Sequence, residues 1–180
     1  MTTILLVRHG ETDWNLEHRV QGHTDRPLNE TGREQANALA ELLADEPLDA
    51  IYSSDLARAR QTAAAIAARH GLEVIELREL REKDFGTWEG LTGAEIQARF
   101  PDAKPGSWGD GESSDDVSER VLAVLERIAA AHVDGHIVVV THSGPMRAAL
   151  RGGAADVHAP IGNCTVVRCT LADGGLAAVV

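Results

Sequence analysis

The sequence TILLVRHGETDWN, residues 3–15, changes character abruptly after Val7. Residues 3–7 form a continuous apolar run, which predicts a β-strand that is covered on both faces. The run ends in the segment RHGE, residues 8–11, whose members prefer water or unusual backbone angles. One interpretation is a strand that leads into a polar loop. The other is a strand that delivers an arginine and a histidine into a reactive pocket.

Similar apolar runs recur along the chain and alternate with amphipathic segments. Strands are predicted at residues 3–7, 50–53, 73–77, 136–141, 164–171 and 176–180. Helices are predicted within residues 30–46, 54–71, 92–101, 113–132 and 144–153, with Asp55 as the N-cap of the second. This alternation indicates an α/β fold with a mostly parallel central sheet. The sheet is expected to be mixed, because the ADGG segment that joins the last two runs is a hairpin signal.

Composition places the chain among ordinary globular domains. Its 180 residues, 43% hydrophobic and 25% charged, predict a single domain over residues 1–180. The net charge of −11 disfavours nucleic acid and anionic membranes as partners. We expect a cytoplasmic protein, because no signal peptide or bilayer-spanning run is evident and the spacing of the two cysteines does not favour a disulfide. No cofactor is expected, since no glycine-rich nucleotide motif occurs.

The least regular stretch, residues 84–111, is predicted to be a lid-like excursion over the sheet. It holds all but one of the chain's five Phe and Trp residues in a setting rich in Gly and Pro. Packing is the default role for these aromatic side chains, and Trp88 is the best candidate for an additional substrate contact. The stretch has little positive charge beyond Arg99 and Lys104, which argues against a bisphosphate substrate.

Ionisable side chains follow four of the predicted strands, at the sheet edge where α/β proteins bind ligands. Arginines suit a phosphate, a neutral histidine can attack phosphorus, and a carboxylic acid can protonate the leaving oxygen. No metal is required, because arginines can stabilise the charge on the phosphoryl oxygens. The candidates are Arg8, His9, Arg58 or Arg60, one of Glu79, Glu82 and Asp84, and His142.

The motifs that contain these residues resemble the histidine phosphatase superfamily, the phosphoglycerate-mutase-like family. They are RHGETDWN, QGHTDRPLNETGREQA, SSDLARARQTA, LREKDFGTWEGLT, GESSDDV and THSG. They stand in the family's order and extend over nearly the whole chain. The resemblance implies a three-layer, Rossmann-like α/β sandwich and phosphoryl transfer through a phosphohistidine.

The resemblance also implies roles for individual residues. His9 would be the nucleophile and Glu82 the proton donor. The phosphoryl group would be held by Arg8, Arg58 and His142, and further phosphate or substrate contacts would come from Asn15, Gln21 and Gly22. The chain departs from the family at Ser143, where glycine is usual. A backbone N–H donor survives that change, so Ser143 stays a candidate phosphate contact.

Three functions fit this pattern. The preferred one is a metal-independent phosphomonoesterase that acts on a small-molecule phosphate monoester. A cofactor-dependent phosphoglycerate mutase is less favoured, because mutases resembling this family are longer and only about thirty residues separate Glu82 from the long helix near Ser113. A non-catalytic phospho-ligand sensor is disfavoured, since every catalytic residue is present. The apolar C-terminal hairpin could be a sheet edge or the seam of a homodimer.

Overall fold

The computed structural model describes residues 1–103, 108–151, 160–172 and 175–178. The strands are β1 (Thr3–Arg8), β2 (Ala50–Ser53), β3 (Val74–Glu76), β4 (His136–Thr141), β5 (Val166–Ala172) and β6 (Gly175–Ala178). The helices are α1 (Asp13–Leu16), α2 (Glu30–Leu42), α3 (Ala57–His70), α4 (Gly93–Arg99), α5 (Ser114–Ala131) and α6 (Ser143–Leu150). Single 3₁₀ turns lie at Arg78–Leu80 and Gly86–Trp88.

The strands form one mixed sheet in the order β3-β2-β4-β1-β5-β6. The first four strands in that order run parallel to one another, whereas β5 pairs antiparallel with both β1 and β6. The predicted mixed α/β sheet is therefore confirmed. The predicted turn between the last two strands falls on residues 173–174, which lie outside the described residues. Residues 179–180 of the last predicted strand also lie outside them.

Helices cover both faces of the sheet, which makes three layers. Alternate side chains of β1 and β4 point to opposite faces, as the pleat of a strand requires. Ile4 and Leu6 pack with α5 and α6 in one core cluster, whereas Leu5 and Val7 pack with α2 and α3 in the other. The continuous apolar runs at β1 and β4 are thus explained by burial of both faces, and the predicted three-layer sandwich is confirmed.

Two local predictions need correction. The fifth strand begins at Val166 rather than Cys164, because Cys164 has a positive φ of 55° and its N–H bonds back to the carbonyls of Arg8 and His9. Asp55 does not cap α3. The N-cap is Leu56, which has no side-chain cap hydrogen bond, and the Asp55 carboxylate is instead paired with Arg81 at 2.6 and 2.7 Å.

The segment 84–111 leaves the sheet and consists of a 3₁₀ turn, the short helix α4 and extended pieces, with residues 104–107 outside the described part. Helix α4 begins with a complete Thr92–Glu95 capping box. Among the described residues, no helix is long and apolar enough to cross a membrane.

Candidate active site

Two histidines meet at the carboxyl edge of the sheet. Strands β1 and β4 are parallel neighbours in which Arg8 pairs with Thr141, so the residues that follow, His9 and His142, stand side by side. The His9 N–H continues the ladder by donating to the Thr141 carbonyl at 3.0 Å. Their ring centroids are 5.1 Å apart, and the side chains are 3% and 0% exposed. Strand register alone therefore explains why two residues 133 positions apart form one site.

The imidazole of His9 is oriented by its own loop. Its Nδ1 lies 2.6 Å from the Gly10 carbonyl oxygen, which can only accept a hydrogen bond, so Nδ1 carries the proton and Nε2 keeps its lone pair. The loop holds this position because the Gly10 N–H donates to Thr62 Oγ1 at 3.0 Å. A Cβ at residue 10 would lie 2.6 Å from the Gly32 carbonyl oxygen, so only glycine fits there.

The second histidine is held by the neighbouring strand. Ser54 directly follows β2, and its Oγ lies 2.9 Å from Nε2 of His142. Within the described residues, Nδ1 of His142 is buried without a hydrogen-bond partner. The Nε atoms of Arg8 and Arg58 are also buried without a hydrogen-bond partner among the described residues. Two further atoms of this kind, His70 Nε2 and His136 Nδ1, lie elsewhere in the described residues. Buried polar atoms without partners are rare in folded proteins, and three of these five belong to side chains at the same edge of the sheet, as expected for a site that binds a polar ligand.

Arg8 and Arg58 bring positive charge to the histidines. Arg58 lies in the first turn of α3, is fully buried, and donates to the carbonyls of Gly22 at 2.7 Å and Thr24 at 3.1 Å. Burial lowers its pKa to about 10, while the Glu82 carboxylate acts in the opposite direction. Arg8 donates to the Ile161 carbonyl. Both guanidinium groups remain charged at neutral pH, so the site attracts an anion although the protein as a whole is acidic.

Glu82 is the carboxylate that faces this cluster. Its Oε1 accepts the Lys83 N–H at 2.9 Å, and Oε2 is 3.3 Å from the Gly144 nitrogen and 3.4 Å from Ser143 Oγ at the start of α6. Glu82 lines the same cavity as Arg8 and Arg58, and its charge opposes the burial that lowers the pKa of both arginines. The competing carboxylates point elsewhere: Glu79 pairs with Arg127 at 2.7 Å, and Asp84 Oδ1 accepts the Gly86 N–H.

Arg120 on α5 holds the loop that carries Glu82. Its guanidinium donates to the carbonyls of Glu79 and Arg81, both at 2.8 Å, and of Glu82 at 2.9 Å. It also forms two bonds of 2.7 and 2.8 Å to the Glu112 carboxylate. Sequence reasoning missed Arg120, and no signal could have found it, because it lies in an amphipathic helix outside every motif.

The remaining wall is formed by the loop after α1. Thr12 and Asn15 form a capping box, and Thr12 Oγ1 also donates to Gln21 Oε1 at 2.8 Å. Gly22 has a φ of 54°, and its carbonyl accepts from Arg58. These contacts enclose a cavity of about 160 Å³. It is lined by Arg8, His9, Asn15, Arg19, Val20, Gln21, Gly22, Arg58, Glu82, Phe85 and Ser143.

Eight of the ten predicted site residues line the cavity, and His142 and Trp88 do not. His142 is fully buried beside His9, whereas Trp88 lies away from both histidines. Its ring packs against Phe100 with centroids 6.0 Å apart and borders a separate surface depression. The next residue, Glu89, takes the inward position instead, because its carboxylate accepts the N–H groups of His23 and Thr24. Phe85 is the aromatic side chain that reaches the cavity, a contact that the sequence did not single out.

The buried environment keeps both histidines neutral. Burial is the largest cause that lowers the pKa of His9 well below 6.5, and the positive charges of Arg58 and Arg8 act in the same direction. The pKa of His142 is lowered for the same reasons, with burial first and Arg58 next. A neutral imidazole with its Nε2 lone pair available is the form that can act as a nucleophile.

These lowered pKa values predict a loss of stability in mild acid. Below about pH 6.5 the unfolded chain binds protons at His9 and His142, whereas the folded chain does not. The free energy of unfolding therefore falls as the pH falls, by up to about 1.4 kcal/mol per pH unit for each histidine. Urea denaturation between pH 6.5 and 5.0 should show this slope, and His9→Gln should reduce it. The exposed-residue control His18→Asn should keep it. An equal slope in His9→Gln and the wild type would contradict the prediction.

The arrangement can bind and transfer a phosphoryl group. Arg8, Arg58 and Glu82 line the same cavity as His9, and the His142 ring lies 5.1 Å from the His9 ring. The described part of the chain contains no cluster of three or more His, Cys, Asp or Glu side chains arranged to hold a metal ion. Arg8 and Arg58 can stabilise the negative charge on the phosphoryl oxygens.

Comparison with known proteins agrees with this geometry. Residues 4–180 match the model of the histidine phosphatase superfamily, branch 1. Two proteins of Arabidopsis thaliana are similar to this chain. Phosphoglycerate mutase-like protein 4 is 44% identical in an alignment that covers 80% of this chain and 67% of that protein. A metal-independent phosphoserine phosphatase is 42% identical in an alignment that covers 82% of this chain and 67% of that protein. The structure of a mycobacterial glucosyl-3-phosphoglycerate phosphatase in complex with VO3 superposes with a TM-score of 0.86 at 32% identity, covering 98% of this chain and 96% of that one. The chain therefore belongs to the histidine phosphatase superfamily, branch 1.

Proposed function

We propose that this protein hydrolyses a small phosphate monoester through a phosphohistidine on His9. The observation that carries the proposal is the state of the His9 ring: Nδ1 is held by the Gly10 carbonyl, the imidazole is neutral, and its cavity is also lined by Arg8, Arg58 and the Glu82 carboxylate. Arg8 and Arg58 would bind the phosphoryl oxygens, with Asn15, Gln21, Gly22 and Ser143 completing the wall. The family resemblance assigns the phosphoryl group to His142 as well, whose ring lies 5.1 Å from that of His9.

The reaction would proceed in two steps. In the first, His9 Nε2 attacks phosphorus, the bond between phosphorus and the ester oxygen breaks, and the carboxylic acid of Glu82 gives its proton to the departing alkoxide. In the second, water attacks the phosphohistidine, the Glu82 carboxylate accepts a proton from that water, and phosphate leaves with His9 restored. Neither step consumes a cofactor, and a cytoplasmic metabolite would be a suitable substrate.

The test compares the two possible fates of the phosphoryl group. We expect steady release of inorganic phosphate from p-nitrophenyl phosphate in the presence of EDTA. In a parallel assay with 3-phosphoglycerate and a priming bisphosphate, we expect little interconversion of 3- and 2-phosphoglycerate. Efficient interconversion with little phosphate release would instead establish the mutase. Loss of hydrolysis in EDTA, restored by a divalent metal, would contradict the metal-independent mechanism.

A further inference from the structure

The side chain of Glu82, the proposed proton donor, is held only loosely through its carboxylate. Oε1 accepts the adjacent Lys83 N–H at 2.9 Å, but Oε2 has only long contacts among the described residues, 3.3 Å to the Gly144 nitrogen and 3.4 Å to Ser143 Oγ. Hydrogen bonds in proteins are usually about 2.7–3.0 Å long. The position of this carboxylate therefore depends mainly on the backbone that carries it.

The backbone that leads to Glu82 is held by side chains from other elements. Four consecutive carbonyls, those of residues 79–82, accept hydrogen bonds from two such side chains. Thr141 Oγ1 donates to the Leu80 carbonyl at 2.7 Å, and Arg120 donates to the other three carbonyls at 2.8, 2.8 and 2.9 Å. Arg120 thus supplies the donors that backbone N–H groups would supply in a regular helix or strand.

All five N–H donors of the Arg120 guanidinium have an acceptor. The two that do not bind carbonyls donate to the Glu112 carboxylate at 2.7 and 2.8 Å. Burial acts to raise the pKa of Glu112, but its hydrogen bonds with Arg120 and with the Asp84 N–H outweigh burial, so the pKa is lowered and the carboxylate is ionised. A lysine offers three donors on a tetrahedral nitrogen, so this position requires the planar group of an arginine.

The same ion pair binds the neck of the excursion 84–111. The Glu112 N–H donates to the Asp84 carbonyl at 3.0 Å, and the Asp84 N–H donates to the Glu112 carboxylate at 2.9 Å. These two bonds join the first residue of the excursion to the residue that follows its end. Glu82 and the excursion therefore share one anchor on α5, a helix whose apolar face is buried in the core.

We propose that Arg120 is a positioning residue, which acts through the backbone of Glu82 and holds its carboxyl group where proton transfer to the leaving oxygen requires it. The inference rests on the proposed function, because it concerns the proton donor of that reaction. Arg120 is not one of the described residues that line the phosphate cavity, so it does not act on the substrate directly. His23 Nε2 also lies 2.9 Å from the Glu82 carbonyl, but among the described side chains only Arg120 binds more than one carbonyl of this segment.

The test uses two esters with the same aromatic ring. Nitrophenolate leaves from p-nitrophenyl phosphate without a proton, whereas phenolate is a stronger base and leaves from phenyl phosphate with the help of a proton donor. We expect Arg120→Gln to lower kcat/KM for phenyl phosphate about 10- to 100-fold and kcat/KM for p-nitrophenyl phosphate much less, since a displacement of about 1 Å can cost about 10²-fold in rate. Arg120→Lys, which keeps the charge but not the planar group, should lie between Arg120→Gln and the wild type.

A second measurement separates positioning of Glu82 from general damage to the fold. In the Glu82→Gln background, Arg120→Gln should change neither kcat/KM further, because no proton donor is left to position. The matched control is Arg127→Gln, which removes the same charge from the same face of α5 two turns later, where Arg127 pairs with Glu79 at the surface. It should keep wild-type values for both esters. Thermal unfolding should show that each variant is folded at the assay temperature.

Two outcomes would overturn the inference: an equal loss on both esters in Arg120→Gln, or a further loss when Arg120→Gln is added to Glu82→Gln. In either case, hydrolysis by the wild type would still support the proposed function. If Arg120→Gln does not fold, Arg120→Lys and Glu112→Gln, which each remove only part of the network, must show the selective loss on phenyl phosphate, and its absence would overturn the inference. If the wild type releases phosphate from neither ester, the proposed function is wrong and the inference falls with it.

Discussion

We expect His9→Ala to lower kcat for phosphate monoesters at least about 10³-fold, because a covalent mechanism loses both of its steps when the nucleophile is removed. The surroundings of His9 do not supply a substitute. His142 is fully buried with its Nε2 bonded to Ser54, and the described side chains that line the phosphate cavity include no thiol and no lysine. Activity should be followed with p-nitrophenyl phosphate, and thermal unfolding should show that the variant is folded.

A second readout separates loss of the nucleophile from a damaged fold. Rapid quenching of the reaction in base, with ³²P-labelled substrate, should trap a phosphoenzyme in the wild type. The phosphorus–nitrogen bond of this phosphoenzyme should be stable in base and labile in acid. His9→Ala and His9→Gln should show no such label. His70→Ala, a change at the end of α3, is the control and should keep both label and turnover. Wild-type levels of label in His9→Gln would show that another residue is the nucleophile.

We expect Glu82→Gln to lower kcat/KM for an alkyl phosphate about 10²- to 10⁴-fold, the usual contribution of general acid catalysis. The amide has the shape of the carboxylate but cannot donate the proton that an alkoxide needs. Nitrophenolate leaves without a proton, so kcat/KM for p-nitrophenyl phosphate should fall much less. Because the same carboxylate would activate water in the second step, the phosphoenzyme should accumulate in this variant.

The control for this variant comes from the same loop. Glu79→Gln removes an identical group three residues away, whose carboxylate is paired with Arg127 at the surface. It should have near wild-type kcat/KM for both substrates. An equal loss on alkyl and p-nitrophenyl phosphates in Glu82→Gln would contradict the role of Glu82 as the proton donor and would indicate a role in substrate binding.

Sequence patterns were sufficient to predict the strands and helices that are buried uniformly along their length. The four central positions of β1 and of β4 are all apolar because both faces of these strands are covered, and this signal is local. The capping box at Thr92 and Glu95 is equally local and was confirmed. Asp55 was misassigned because an N-cap and an ion-pair partner have the same residue type. Only the approach of Arg81 from another segment decided between them.

Choosing between neighbouring candidate residues required the tertiary structure. Residues 58 and 60 are separated by about 200° around a helix, so only one of them can face the sheet edge. Packing of α3 buries Arg58 and leaves Arg60 at the surface beside Glu76. The same holds in the loop after β3, where Arg120 fixes the backbone that turns Glu82 toward the arginines. The family resemblance pointed to Arg58 and Glu82, which line the cavity, whereas spacing alone could not choose among the candidates.

By itself the sequence determined the α/β class, the sheet edge that carries the candidate site, and the family. Hydrophobic periodicity and the ordered motifs are local features that can be read directly from the sequence. Only the tertiary structure decided which aromatic side chain reaches the phosphate cavity, which tautomer His9 adopts, and that Arg120 binds the backbone of Glu82. These properties depend on distances between segments far apart in sequence. Local propensity cannot encode such distances, since they result from how the helices pack on the two faces of the sheet.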